Sequence, residues 1–269
     1  YLLRYLVQQG ADIRATRRAN SSMKLVETIK NKIEWVEADV LDVANLEDAM
    51  EGIDCIYHCA AVVSFDPKEA EMLHRINVEG TANVVNMALR TGVKRLLHVS
   101  SIAAVGRSKE TPNVNEKIMF VRNPMNTKDA ISKFLGEQEA WRGAAEGLDV
   151  VVVNPSVIIG SGFWESGTNG FFHQINNQLK FYPIGATGFV DVRDVAKAAI
   201  QLMESDILAE RFIISGENWS FYEQMNAISA ALGKKSPSIK VTPLIQELAW
   251  RAAWLKGKLL GKSPFITKE

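Results

Sequence analysis

Over roughly the first 155 positions, short apolar runs alternate with longer segments whose apolar residues recur every three or four places. Leu2, Leu3, Leu6 and Val7 share one helical face, and Gly10 follows where a left-handed cap would close a helix. The pattern then predicts a short strand from Asp12 to Thr16, a loop from Arg17 to Ser22, a polar helix, and an alternating strand from Ile33 to Glu37. A short helix is expected from Asn45 to Gly52, and the apolar run Cys55 to Val63 reads as a buried strand. A long helix is expected from Glu69 to Thr91, a strand from Arg95 to Ser100 and a helix from Thr127 to Gly147. Asp149 to Asn154 is a β-branched run of the kind covered on both faces. Strands alternating with helices imply a parallel sheet sandwiched by helices, an α/β doubly wound fold. From Gly162 to Gly170 the rhythm becomes loop-like. Residues 1–160 are therefore expected to form one domain, with 188–204 returning to it, and 161–269 mostly a smaller C-terminal domain.

Composition narrows the partners. The chain has 269 residues, 31 Lys+Arg against 31 Asp+Glu, and 47% hydrophobic residues, which excludes a disordered segment. A pI near 7.1 leaves no basic footprint for nucleic acid, so a small-molecule partner is expected. No apolar run reaches the roughly 18 residues of a membrane span. Cys55 and Cys59 share a strand face at about 13 Å, too far apart for a disulfide or a shared metal, so no metal site is expected. Two unpaired thiols fit a reducing cytoplasm.

Several segments in order carry a resemblance: Ala38-Asp39-Val40, His58-Cys59-Ala60-Ala61-Val62, Asn77 to Thr81, Val99 to Gly106, Ser132-Lys133, Asn154 to Gly160, and Phe189 to Ala196. Together they resemble the extended short-chain dehydrogenase/reductase family, most closely its dihydroflavonol-reductase and 3-beta-hydroxysteroid-dehydrogenase branch. The resemblance implies a Rossmann-type nucleotide-binding domain, a smaller substrate domain and a nicotinamide cofactor. It places Asp39 and Val40 beside the adenine, Ala60, Ala61 and Val62 under the cofactor backbone, and Pro155, Ser156 and Val157 at the carboxamide.

The loop after the second strand of such a fold reads the adenosine ribose, commonly with an acidic residue. This chain presents Arg17 and Arg18 there instead, and two guanidiniums suit a 2′-phosphate, which favours NADP over NAD. Solvated loop arginines remain the alternative. Hydride transfer to a carbonyl needs a proton donor and a group that polarises the oxygen. The family supplies Ser or Thr with Tyr-x-x-x-Lys. Ser101, with Ser100 as runner-up, fits the first position and Lys133 the last. Asp129 stands where the tyrosine belongs. A cation one helical turn away is expected to hold that carboxyl low and ionised, a poor donor. Three readings stay open: a variant that binds cofactor without turnover, an enzyme using another acid, and a cofactor-sensing protein. A nucleotide-sugar epimerase is a further alternative.

Phe163, Trp164, Phe171, Phe172, Phe181 and Tyr182 suggest a pocket for a flat or apolar carbonyl or alcohol, with Asn169 and His173 as polar contacts, while core packing explains some of them equally well. The stretch 244–260, with Trp250 and Trp254, is amphipathic and is expected as a helix of the substrate domain, with a helix lying on a membrane surface as the alternative. The resemblance also implies a homodimer through the helices 69–91 and 127–147, where Ile131, Phe134, Leu135 and Trp141 supply apolar area.

In a sheet of strand order 3-2-1-4-5-6 the first strand is central, and a glycine turn joins it to the first helix. The chain opens on Tyr1 with a helical pattern, so the first strand and glycine turn are expected to be missing from it and to precede it in the gene. Reading the coding sequence upstream of Tyr1 checks this: a glycine-rich turn is expected there, and its absence overturns the nucleotide-binding reading.

Overall fold

The β-branched run Val150 to Val153 forms an inner strand of a parallel sheet in the computed structural model, which describes residues 1–106, 113–124, 126–165, 167–242 and 245. In chain order the elements are α1 (Leu2–Gln9), β1 (Arg14–Arg17), β2 (Glu34–Glu37), α2 (Val43–Met50) and β3 (Cys55–His58). Next come α3 (Ala70–His74), α4 (Gly80–Thr91), β4 (Arg95–Val99), α5 (Lys128–Ala145) and β5 (Asp149–Pro155). They are followed by β6 (Val157–Ile159), α6 (Asn169–Asn176), β7 (Phe181–Tyr182), β8 (Ala186–Asp191), α7 (Val192–Met203) and β9 (Glu210–Ile214). The described elements end with β10 (Glu217–Ser220), α8 (Phe221–Leu232) and β11 (Ile239–Lys240). The amphipathic stretch expected over 244–260 falls, but for Ile245, outside the described residues.

Two compact units result. The first comprises Tyr1–Ser64, Lys68–Pro155 and Val192–Ile214; the second holds Phe65–Pro67, Ser156–Asp191 and the described residues from Ser215 onward. In the first unit β3, β4, β5 and β9 form a four-stranded sheet in the order β3-β4-β5-β9, all parallel, and β1 pairs with β2 in a separate parallel pair. Among the described residues no strand pairs with the second edge of β1 or of β3.

Period-two alternation sends neighbouring residues of one strand to opposite faces. Leu96, Val150 and Val152 join Leu46, Val84, Val85, Ala88 and Ala140 under α2, α4 and α5, whereas Leu97, Val151 and Val153 join Ala199 and Met203 of α7. At about 1.5–3 kcal/mol per fully buried aliphatic side chain, this two-sided burial is the main stabilising contribution of the unit. The α/β doubly wound, Rossmann-type arrangement expected from the sequence is therefore present. The second unit has a sheet in which β8 pairs parallel with β6 and antiparallel with β10, plus the short parallel pair of β7 and β11. Its small core gathers Ile175, Met225 and Ile228, with Phe171, Phe172 and Tyr182 packed against them.

Several elements differ from the pattern-based expectation. The polar helix after Ser22 is replaced by two 3-10 turns, Lys24–Val26 and Lys30–Lys32. The strand expected to reach Val63 stops at His58, and Cys55 and Cys59 are exposed rather than buried. Beyond it the backbone N–H and C=O of Val62 bond the amide side chain of Asn77 at 2.8 and 2.9 Å, so this segment is held by a side chain instead of a neighbouring strand. The long helix is broken by a π turn, Arg75–Glu79, between α3 and α4. The strand β9 carried no recognised sequence signal.

Gly136 of α5 lies against the π turn, where an added Cβ would stand 2.3 Å from the carbonyl oxygen of Asn77. Gly136→Ala is expected to lower stability by about 1–3 kcal/mol in chemical denaturation, because backbone must move. Gly170→Ala, with nothing within 4 Å, is the control and is expected to be neutral or to stabilise by up to about 1 kcal/mol. Equal stabilities for the two variants would refute the close-approach argument.

Candidate active site

The carboxyl ends of parallel strands gather unsatisfied backbone groups and end the covering layers of side chains, which is why ligands bind there in open α/β sheets. In the first unit these ends carry Arg17 as the last residue of β1 and Arg18 after it, Ala60 and Ala61 after β3, Ser100 and Ser101 after β4, and Pro155 at the end of β5. Arg18 is exposed and its guanidinium has no partner among the described residues, while Arg17 donates to the carbonyl of Ala19 at 3.2 Å. Asp39 uses one carboxylate oxygen to accept from the Leu41 N–H at 2.9 Å, leaving the other open. Val40 is fixed by Gly80, whose missing side chain admits its methyl, and by Asn83, which donates to its carbonyl at 2.9 Å. Ala60 and Ala61 are exposed. Ser156 and Val157 fall in the second unit, where the buried Ser156 hydroxyl has no partner among the described residues.

The two serines after β4 separate by their hydrogen bonds. Ser100 donates to Glu137 at 2.6 Å, so its proton is committed. Ser101 accepts from the Ala103 N–H at 3.1 Å as a turn cap, which leaves its own O–H free to donate. This favours Ser101 over the runner-up.

Asp129 and Lys133 sit one turn apart on α5, and both are buried, at 6% and 9% exposure. Lys133 is thus no solvated helix lysine. The expectation that the cation holds Asp129 low is corrected: burial raises the carboxyl above its usual range, outweighing the attraction of Lys133 and a hydrogen bond from the Ser64 backbone. One of its oxygens, Oδ1, is buried with no partner among the described residues. Burial likewise lowers Lys133, opposed by Asp129. Desolvation wins on both sides because the pair does not close to 4 Å contact, so neither charge gains a full partner for the water it loses. The tyrosines offer no substitute acid on this helix. Tyr57 packs beneath α7, and burial pushes its phenol up to about 12.

Sequence reading missed three features. His58 and His98 face each other across β3 and β4 with ring centroids 5.3 Å apart, and both are buried. Thr81 spends its proton on the carbonyl of Asn77, so His58 must donate to Thr81 through Nε2, at 3.0 Å. Asn77 and Ser132 form a second link, 2.9 Å long, between the π turn and α5. Glu137, fully buried, accepts from Ser100, Asn154, Trp141 and Arg211. The signal for it was available: a Glu four residues after Lys133, on the same helical face as Asp129 and Lys133. A cavity of about 340 Å³ lined by Leu41, Lys68, Glu71, Met72, Arg75 and Ile76 adjoins Val40 in sequence, and none of Ser101, Asp129 or Lys133 lines it.

Among the described residues no cluster of His, Cys, Asp or Glu could hold a metal ion, and no helix is long and apolar enough to cross a membrane. In the second unit Phe163 and Trp164 are exposed, with Trp164 6.4 Å from the Phe172 ring and edge-on to His173. His173 accepts from Asn177 through Nε2, which puts its proton on the buried Nδ1.

A family model described as the NAD dependent epimerase/dehydratase family matches residues 1–214. A Synechocystis protein named as a dihydroflavonol 4-reductase is 31% identical over 98% of this chain and 78% of its own. Cinnamoyl-CoA reductase 1 of Petunia hybrida is 32% identical over 79% of this chain and 68% of its own. Among solved structures, the Bordetella bronchiseptica enzyme WbmG in complex with NAD and UDP superposes with a TM-score of 0.75 at 22% identity, covering 90% of this chain and 78% of that one. At that identity the likeness is one of fold.

The histidine pair makes a pH prediction. Burial, aided by Lys133, lowers His58 from 6.5 to about 4 in the folded protein. Between those values the unfolded chain binds more protons than the folded one, so stability is fully present above pH 6.5 and falls as pH drops to 4. The loss from His58 is about 3 kcal/mol. Urea unfolding at pH 7 and pH 4 should show His58→Gln losing less stability than the unsubstituted protein by about that amount. Parallel losses would contradict a neutral buried imidazole.

Proposed function

The chain belongs to the NAD dependent epimerase/dehydratase family, a family of NAD(P)-dependent enzymes, and on that premise we propose that it is an NADP(H)-dependent reductase of a small apolar or aromatic carbonyl compound. The observation that carries the proposal is the pairing of Asp129 and Lys133 on one face of α5, both buried, with the carboxyl raised and the ammonium lowered. A raised carboxyl can hold a proton to give, and a buried ammonium without a hydrogen-bond partner among the described residues is suited to bond ribose hydroxyls.

The residues present fit a nicotinamide dinucleotide. Arg18, with Arg17 beside it, offers an exposed guanidinium for a 2′-phosphate, which supports NADP over NAD. Asp39 keeps one free oxygen and Val40 an apolar wall for the adenine. Exposed Ala60 and Ala61, with Val62, leave room over the end of β3. Pro155, Ser156 and Val157 supply groups for the carboxamide. When bound, the nicotinamide supplies or takes the hydride. Ser101 donates a hydrogen bond to the carbonyl oxygen, and Asp129 donates the proton that completes reduction to an alcohol. The names of the Synechocystis and Petunia relatives and the exposed Phe163 and Trp164 support an aromatic substrate.

In this reading the first unit binds nucleotide and the second serves the substrate, the protein is cytoplasmic, and a homodimer forms through the half-buried Ile131, Phe134, Leu135 and Trp141 of α5. A cofactor-binding protein without turnover is the second reading, favoured by a carboxyl where the family places tyrosine.

Steady-state reduction of aromatic aldehydes and ketones tests both. NADPH should show a Michaelis constant at least about 10-fold below that of NADH, and Arg18→Ala should remove the difference. Reduction requires protonated Asp129, so the rate should be present below its raised pKa and fall as pH rises through it, with Asp129→Tyr moving the fall toward about pH 10. Asp129→Asn should lose at least about 100-fold. Undiminished turnover in the Asn variant overturns the proton-donor assignment. Turnover gained only with tyrosine, or by neither form, favours the second reading.

A further inference from the structure

Glu137 has no exposed surface, yet its carboxylate is fully used. Oε2 accepts from the Ser100 hydroxyl at 2.6 Å and from the Asn154 amide at 2.7 Å. Oε1 accepts from the Trp141 indole and the Arg211 guanidinium, each at 3.2 Å. Four donors on two oxygens match the lone pairs available. The donors come from the end of β4, the end of β5, the next turn of α5, and β9. Asn154 spends its second N–H on the carbonyl of Ser101 at 3.0 Å. Arg211 also donates through Nε and Nη2 to the carbonyl of Glu116 and through Nη2 to that of Ile118, in the segment leading toward α5.

Asp129, Lys133 and Glu137 lie at successive four-residue steps along one face of α5. The only full anchorage on that face is at Glu137, since Asp129 keeps a buried oxygen unbonded and Lys133 makes no hydrogen bond among the described residues. We propose that Glu137 is a positioning residue: its carboxylate ties the turn of α5 carrying Lys133 to the strand ends carrying Ser101, and so sets where Lys133 meets the cofactor. The proposal rests on the reading above in one respect, that Lys133 contacts the dinucleotide. Without the carboxylate, the buried donors of Ser100 and Asn154 and the half-buried donors of Trp141 and Arg211 lose their acceptor, and α5 shifts or admits water at the turn between Glu137 and Lys133.

A double-substitution cycle on NADPH affinity, read by nucleotide fluorescence, tests this with no need for turnover. Lys133→Met should weaken binding by about 10-fold and Glu137→Gln by about 3- to 10-fold, while the double variant should be no weaker than Lys133→Met within about 2-fold. Losses that multiply in the double variant would show that Glu137 acts on the fold at large and would overturn the proposal. Urea melts identify any variant that fails to fold, and Ser100→Ala, which removes one of the four bonds, carries the same cycle in milder form. If the protein binds no dinucleotide, or binds it equally well with Met at 133, the functional reading falls and this proposal with it. Multiplying losses remove the proposal alone.

Discussion

Covering one strand from both sides is the constraint from which the rest follows. Val150 to Val153 send alternate side chains into two separate cores, so helices must lie on each face and every ladder group must be met by a parallel neighbour. Once β5 is enclosed in this way, polar side chains are admitted to the layer only where the strands end. His58, His98, Ser100 and Asn154 all stand within the last residues of their strands or just beyond. The chemistry is concentrated there because the valine-filled middle excludes it.

At those ends electrostatics is governed by lost water more than by attraction between charges. An exposed Asp and Lys one helical turn apart would each shift slightly toward the charged state and contribute a few tenths of a kcal/mol. Asp129 and Lys133 shift the opposite way, each toward neutrality. The histidines obey the same rule, held neutral by burial and by the nearby ammonium. Glu137 shows the contrasting solution: a buried carboxylate whose every lone pair is met, one of them by a guanidinium. Residues of one type on one helix face are thus prepared for opposite purposes by the number of donors around them.

The alternation of strands and helices was legible because it depends on residue period alone. The identity of β4, α5 and β5, and the positions of Ser101, Asp129 and Lys133 on them, could be read from short runs. The direction of the Asp129 shift could not. Spacing reveals the neighbouring Lys133 but not how deeply both are buried, and depth decided the sign. The end of β3 was misplaced for a related reason. Apolar residues from Ala60 to Val63 look like more strand, and only the amide of Asn77, far along the chain, shows that their backbone is bonded elsewhere. The strand β9 is short and half-buried, and charged Glu210 and Arg211 hide its period, though Arg211 proves to be a partner of Glu137.

The π turn at Arg75–Glu79 amounts to one extra residue accommodated within a helical path. Each residue of an α-helix turns the chain by about 100°, so the faces of α3 and α4 are out of phase with each other by about that angle. On a uniform wheel Leu73, Asn77, Thr81 and Val84 would share one face, and all four are buried, so the spacing of buried positions does not by itself reveal the turn. Loss of a single residue between 75 and 79 would restore an unbroken wheel and rotate Asn77 away from Val62, so the segment's length is under tighter constraint than the residue types that fill it.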